Sequence, residues 1–539
     1  MNQDWTGIEQ SLFQTRFTRR DALRGAVAGG VLLGSGGLLA ACGGDGQPEA
    51  GETAETVEGE PKRGGTIRAG AAGGGAEDTL DANGPVGHQD IARVVQLYEP
   101  LARFDQNYEI ELALAEEITP NASGDEWTVR LQPDIVFHSG KTVNADDVIF
   151  TIQRIVNPDD PKIGASALAI VDANNLRKLD ERTVRIPLKG PYALLLDDLA
   201  QYFNGIVPVD YDPQKPVGTG AFKFQSFTPG DRSVFVRNEN YWREGQPYVD
   251  EVVIIDFPDD SARVNALLSG EIEAMNSVPF GQIPVIEQNS DLALLVSETG
   301  GWLPFTMRVD QAPFDDVRVR QAMRLIVDRE QMIEQALAGQ GRIANDLYSP
   351  FDPCYIGDEL AQREQDLEQA KSLLAAAGAS GLNVELVTSP VAAGVVEAAQ
   401  VLAEQAKGAD VTIRLRRVDT GTFYGDDYLS WVFAQDFWFT RNYVQQVGQG
   451  SFPDSPFNET HWADERFIAL INEARVTLDE EQRCELLAEA QRIEWESGGY
   501  IVWGFVNNVD AHSAKLRGLE PDRSGNPVMT WGFREAHFA

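Results

Sequence analysis

The sequence predicts a mixed α/β protein with more than one hydrophobic core. Period-two apolar alternation and helical periodicity exchange along the chain, with no repeat unit and no long coiled-coil stripe. Residues 62–539 carry the foldable part, and 43% of the whole sequence is hydrophobic. That is more than one core usually holds, so two or three domains are expected.

Short, turn-bounded apolar alternation predicts strands over 66–69, 127–131, 183–186, 233–237 and 252–256. Asn144 is placed to cap a helix over 145–155. Helices also follow over 317–327 and over 366–377, where Gly378 supplies the stop. In the first of these, Asp315 and Asp316 suit the positive helix end, and Arg318 and Arg320 are placed for local pairing. Further on, 467–476 and 480–495 read as helices, and 384–387 and 411–415 as strands. Arg416 and Arg417 then mark a polar strand end.

The N-terminus has the order of a cleavable export signal: Arg19-Arg20, an uncharged run over 25–41, then Leu39-Ala40-Ala41-Cys42. The run is short and glycine-rich, whereas a membrane span needs about 20 strongly apolar residues. The paired arginines resemble a twin-arginine signal and the site before Cys42 resembles a lipobox, which implies acylation of Cys42 and a membrane anchor. Residues 43–61 are acidic and nearly free of apolar side chains. They are expected to form an extended tether with a reach of about 25 Å.

The formal net charge is −38, which excludes nucleic acid as a natural partner. A solvated acidic surface explains the charge, and a cationic solute is compatible with it. If Cys42 is lipidated, Cys354 and Cys484 remain either to pair or to stay as structural thiols. An enzyme is not expected. The sequence has no Gly-x-Ser-x-Gly elbow and no His-Glu-x-x-His, and Ile135 breaks the phosphate-loop spacing before Gly140-Lys141-Thr142. No cofactor or metal is expected either, because no cluster of histidine, cysteine or methionine offers ligands.

Several blocks, in order, resemble the extracellular solute-binding proteins of family 5. They are Lys62-Arg63-Gly64-Gly65-Thr66, Glu126-Trp127-Thr128-Val129-Arg130-Leu131, Phe137-His138-Ser139-Gly140, Gly218-Thr219-Gly220-Ala221-Phe222, Arg237-Asn238-Glu239-Asn240-Tyr241-Trp242 and Phe314-Asp315-Asp316-Val317. The resemblance implies a two-lobed periplasmic-binding-protein-like fold of the large, three-subdomain type, hinged between lobes. By that analogy the signal spans 1–41 and the tether 42–61. Lobe I takes 62–302, with an inserted subdomain near 86–190, and returns over 503–539, while lobe II spans 303–502. It also implies a monomer that passes a small solute to the permease subunits of an ABC importer. Tyr241 and Trp242 are expected to pack rather than bind.

The resemblance places a solute-binding aspartate at Asp436, with Phe433 as its preceding aromatic. Independently, aromatics crowd residues 431–443 around one carboxylate and one guanidinium. Such a cluster packs a core or lines a pocket. Asp436, Trp431 and Trp438 suit a cation, while Arg441 suits a carboxylate. The candidate ligand-binding residues are Asp436, Trp438, Arg441, Asn442, Tyr443, Phe433, Trp431, Trp302, Phe305 and His88, with Cys42 as the lipidation site.

Overall fold

The computed structural model describes residues 61–539, which build an eight-stranded, a five-stranded and a four-stranded sheet. The signal, Cys42 and the acidic tether lie outside the described residues. In the eight-stranded sheet, Thr66–Ala72 lies parallel to both Glu251–Phe257 and Ala274–Met275. The antiparallel Arg232–Arg237 and Phe222–Thr228 extend one side, and Gly504–Ser513 and Leu292–Trp302 the other. Alternation explains the burial, because Val252 and Ile254 on one face of Glu251–Phe257 are wholly covered. Helix His88–Leu97 packs there, with Ile91, Val94 and Leu97 joining Ile67, Phe235 and Ile254 in one core.

That helix also buries Arg93, whose guanidinium pairs with Asp256 at 2.5 Å and with Asp78 and Asp90 at 3.3 Å. Several carboxylates around one buried cation satisfy a charge that would otherwise be prohibitive there.

The four-stranded sheet runs Ala115–Pro120, Glu126–Leu131, Thr183–Pro187 and Arg177–Lys178. Helix Ala145–Ile155 lies against it. Its cap is the expected one: the Asn144 side chain accepts from the backbone N–H groups of Asp146 and Asp147.

The five-stranded sheet is ordered Thr412–Arg417, Asn383–Thr388, Phe433–Gln435, Phe305–Met307 and Tyr500–Ile501. Helices Val317–Ile326, Arg329–Ala336, Leu367–Ala376 and Val395–Ala406 supply its main core. Asp366 caps Leu367–Ala376 by accepting from Gln369 N, and Gly378 follows at φ 72°, where glycine is unstrained.

Two stretches, 302–305 and 501–504, pass between the eight- and five-stranded sheets. Trp302 lies opposite Phe505 and Phe305 opposite Ile501, so the crossings run side by side. Next to them, helix Glu480–Ser497 ends against two buried arginines. Arg324 donates to Gly498 O (2.7 Å) and Tyr500 O (3.0 Å), and Arg320 donates to Ser497 O (2.6 Å). Arg318 pairs locally with Asp316, and Arg320 bonds both the local Phe314 O (2.6 Å) and these carbonyls at the negative helix end. Burial pushes Arg324 down to about 9.

Cys354 and Cys484 form a disulfide across 130 residues, which resolves the two open alternatives. No helix among the described residues is long and apolar enough to cross a membrane.

Candidate ligand-binding cleft

A cavity of about 1260 Å³ lies between the two sheets' lobes. His88, Tyr202, Phe257, Asp522 and Trp531 line it from one lobe, and Val391, Phe437, Arg441 and Asn442 from the other. Common small-molecule pockets hold roughly 300–1,000 Å³, so the space exceeds that of a single small metabolite.

The lobe II wall is made by the chain leaving strand Phe433–Gln435. It turns back onto the crossing strand, where Trp302 N donates to Trp438 O (3.0 Å) and Trp438 N to Trp302 O (2.9 Å). Thr440 is then clamped: its Oγ1 accepts from Gly300 N (2.9 Å) and donates to Arg523 O (3.1 Å). Asn442 Nδ2 donates to Asp197 Oδ1 at 2.6 Å. Tyr443 begins helix Tyr443–Gly450, with its N–H on Asp352 Oδ2 (2.7 Å). Fixing both ends of the segment presents Phe437 through Asn442 to the cleft. Phe439 is 55% exposed, and the Arg441 guanidinium lies 5.9 Å from the Trp438 ring and 5.8 Å from the Phe439 ring.

Of the sequence candidates, His88, Trp438, Arg441 and Asn442 line the cleft, and the others stand behind its wall. Asp436 is buried, accepting from Tyr424 Oη (2.5 Å), Phe437 N (2.8 Å) and more distantly Tyr428 Oη (3.4 Å). Phe433 packs between Phe305 and Phe314 in the lobe II core. Trp431 lies against Phe423 and donates to its carbonyl at 3.2 Å. Trp302 stacks on Tyr348, and Tyr443 donates to Glu494 Oε2 at 2.5 Å. The His88 imidazole is pushed down to about 4 by burial and by the Arg263 charge, which keeps it neutral.

Three features of the cleft had no local signal in the sequence. Burial pushes Asp197 up to about 6 and Asp198 up to about 8. Glu99 accepts from Tyr241 Oη and Trp242 Nε1, both at 2.7 Å, so those two aromatics pack and hold a buried carboxylate. Four consecutive residues, Val528 to Trp531, have φ between 50° and 55°. Left-handed backbone costs about 1–2 kcal/mol for each such residue. Hydrogen bonds hold the turn in place: Val528 N to Asp510 Oδ2 (2.6 Å), Thr530 Oγ1 to Asp522 Oδ2 (2.6 Å) and Gln96 Nε2 to Trp531 O (2.8 Å). Among the described residues, no group of three or more histidines, cysteines or carboxylates is arranged to hold a metal ion.

The family model described as "Bacterial extracellular solute-binding proteins, family 5 Middle" matches residues 109–453. The chain belongs to this family. Among curated relatives it is 28% identical over 462 residues to di/tripeptide-binding protein 2 of Pseudomonas aeruginosa, covering 78% of this chain and 86% of that one. It is likewise 28% identical over 480 residues to the dipeptide-binding protein of Escherichia coli, covering 80% and 88%. The fold is that of the two-lobed periplasmic binding proteins. The ABC transporter substrate binding protein CtaP of Listeria monocytogenes superposes with a TM-score of 0.78 at 20% identity, covering 88% of this chain and 100% of that one. HbpA2 of Haemophilus parasuis gives 0.77 at 22% identity, with the same coverage.

Proposed function

We propose that this family 5 protein is the substrate-binding lipoprotein of an ABC importer, capturing a cationic or peptide-like solute between its lobes and delivering it to the membrane permease. The observation that carries the reading is the cleft itself, walled by both lobes and weighted toward acid. Its Arg103 and Arg243 pair with Glu111, and Arg534 pairs with Glu535. Asp105, Asp454 and Asp522 add further carboxylates to the lining, against Arg441 and Arg475, while burial favours the neutral form of Asp198. With exposed aromatic faces beside them, these suit an organic cation or a solute amine.

In this reading lobe I comprises 62–302 and 503–539, with its inserted subdomain near 86–190, and lobe II comprises 303–502. His88, Trp438, Arg441 and Asn442 touch the solute, while Asp436, Trp431, Phe433, Tyr443, Trp302 and Phe305 support the wall. The twin-arginine-like signal and acylation of Cys42 would hold the protein, as a monomer, on the outer face of the cytoplasmic membrane. A disulfide is at home in that oxidising setting.

Native mass spectrometry of freshly purified protein tests capture, with a retained small molecule expected. Deleting the gene should abolish uptake of that molecule. Intact uptake with altered chemotaxis would make the protein a sensor instead.

A further inference from the structure

Behind the lobe II wall lies a group of buried polar atoms that the cleft lining does not include. Thr388, Ser389, Gln435 and Trp503 are each at most 1% exposed. Among the described residues, Thr388 Oγ1, Ser389 Oγ, both amide atoms of Gln435 and Trp503 Nε1 have no hydrogen-bond partner. Native proteins rarely leave even one such atom without a partner, because each forfeits its hydration on folding.

Strand register gathers Thr388, Gln435 and Trp503 on one face, and Ser389 follows Thr388 at the strand end. Val387 pairs with Ala434 in parallel, which sets Thr388 beside Gln435. Gln435 lies opposite Phe305, and Phe305 opposite Ile501, so Trp503, two residues beyond, shares their face. Leu386, Phe433, Phe305, Ile501 and Trp503 all belong to the core on that side. The group therefore sits at the C-terminal ends of the parallel strands Asn383–Thr388 and Phe433–Gln435, where open α/β sheets receive their ligands.

The flanking chain points the same way. Helix Val395–Ala406 starts immediately after, and its N-cap Gly394 contributes no side-chain acceptor to the first N–H groups. Between the group and that helix, Val391 and Ala392 line the cleft, as does Phe437, two residues after Gln435. The polar group is thus separated from cleft-lining residues by only one or two positions along each strand's continuation. The loop's far end is fixed, because Gly394 is so close to Leu337 that an added Cβ would stand 2.6 Å from Leu337 Cδ2.

The geometry points to an inner subsite of the cleft, formed by Thr388, Ser389, Gln435 and Trp503, that takes an uncharged or anionic planar oxygen group of the solute. An amide or a carboxyl end is the chemical class. Two hydroxyls, an indole N–H and a carboxamide N–H₂ supply donors, and Gln435 Oε1 accepts in return. This assignment rests on the solute-binding reading and specifies which end of the solute is read in lobe II.

Gln435→Met and Thr388→Val remove hydrogen bonding at nearly constant volume. The probes are alanyl-alanine, which carries amide and carboxyl groups, 1,4-diaminobutane, which carries neither, and any solute retained on purification. The expected result is an affinity loss of about tenfold or more in both variants for alanyl-alanine or a carbonyl-bearing retained solute. Binding of 1,4-diaminobutane, and the melting temperature without solute, should not fall. Unchanged affinities with a raised melting temperature would make the group a structural polar cluster and overturn the subsite, leaving solute capture intact. No retained mass and no binding of any probe by the unaltered protein would overturn both.

Discussion

Trp302 and Trp438 lie ring on ring, with centroids 6.0 Å apart and planes within 16° of parallel, and each donates its backbone N–H to the other's carbonyl. The stack continues through Tyr348 to Tyr443, at 5.0 and 5.2 Å. One end is cleft wall and the other is buried in the core shared with the four-stranded sheet, and Trp302 itself ends a strand that runs toward the five-stranded sheet. In the proposed reading, relative movement of the lobes would be transmitted to this wall.

Trp438→Ala should lower unfolding stability by about 3–5 kcal/mol, the usual range for removing a buried aromatic. Trp438→Phe, which keeps a ring in the stack, should cost clearly less. Urea unfolding measures both. Equal losses would show that the stack contributes only volume.

Glu494 ends this stack, accepting from Tyr348 Oη at 2.8 Å and from Tyr443 Oη. Burial pushes its carboxyl from an ordinary 4.5 up to about 7. The folded protein then holds a proton that the unfolded chain releases, so this contribution is complete below pH 4.5 and is lost as pH rises through about 7. A shift of that size corresponds to roughly 3 kcal/mol. Glu494→Gln, which stays neutral, should match the unaltered protein near pH 4.5 and exceed it by up to that amount at pH 8. A difference independent of pH would place the titration elsewhere.

His88 has the opposite sign. Burial lowers it from 6.5 to about 4, so the unfolded chain binds a proton that the folded protein refuses. Its contribution is present above pH 6.5 and disappears as pH falls through about 4. Thermal melts of His88→Gln should accordingly gain on the unaltered protein between pH 7 and pH 4.

Local chemistry carried much of the fold. The Asn144 cap, the Asp366 cap with its Gly378 stop and the alternation in 252–256 each act within a few residues, and the elements formed at those places. The site was legible only as a segment. Crowded aromatics after Phe433 marked the wall, but strand parity turns Phe433 inward, and the phenols of Tyr424 and Tyr428 bury Asp436. Both phenols precede the crowded segment in sequence, so nothing within 431–443 announces them. Asp197, Asp198 and the left-handed turn over 528–531 join the cleft only through distant contacts. Val528 and Thr530 are β-branched, and neither announces a positive φ.

The disulfide offers a further test of how the wall is held. Asp352 Oδ1 accepts from Cys354 N and its Oδ2 from Tyr443 N, both at 2.7 Å, so the disulfide-bearing loop also positions the start of helix Tyr443–Gly450. Replacing both cysteines by serine should cost about 2–5 kcal/mol. It should also weaken solute binding, as should Asp352→Asn with the disulfide intact. Thiol labelling of the unreduced, unfolded protein should find Cys354 and Cys484 blocked. Reactive thiols at both positions would overturn the pairing.

Asn442 and Asp197 are 245 residues apart in sequence, and their 2.6 Å hydrogen bond joins the cleft wall to helix Leu195–Leu199, which the proposed reading places in lobe I. A bond to a carboxylate contributes about 1.5–3 kcal/mol where water is excluded, and in the proposed reading it forms only when the lobes come together. Its free energy therefore favours the closed form directly, without requiring contact with the solute. Asn442→Ala should raise the dissociation rate of a bound solute by roughly 10- to 100-fold and leave the association rate nearly unchanged. Asp197→Ala should do the same, and the double variant should add little, because both remove one bond. Small-angle scattering of the solute-bound protein should show less compaction in each variant. Full compaction with an unchanged dissociation rate would mean that the bond forms after closure and does not maintain it.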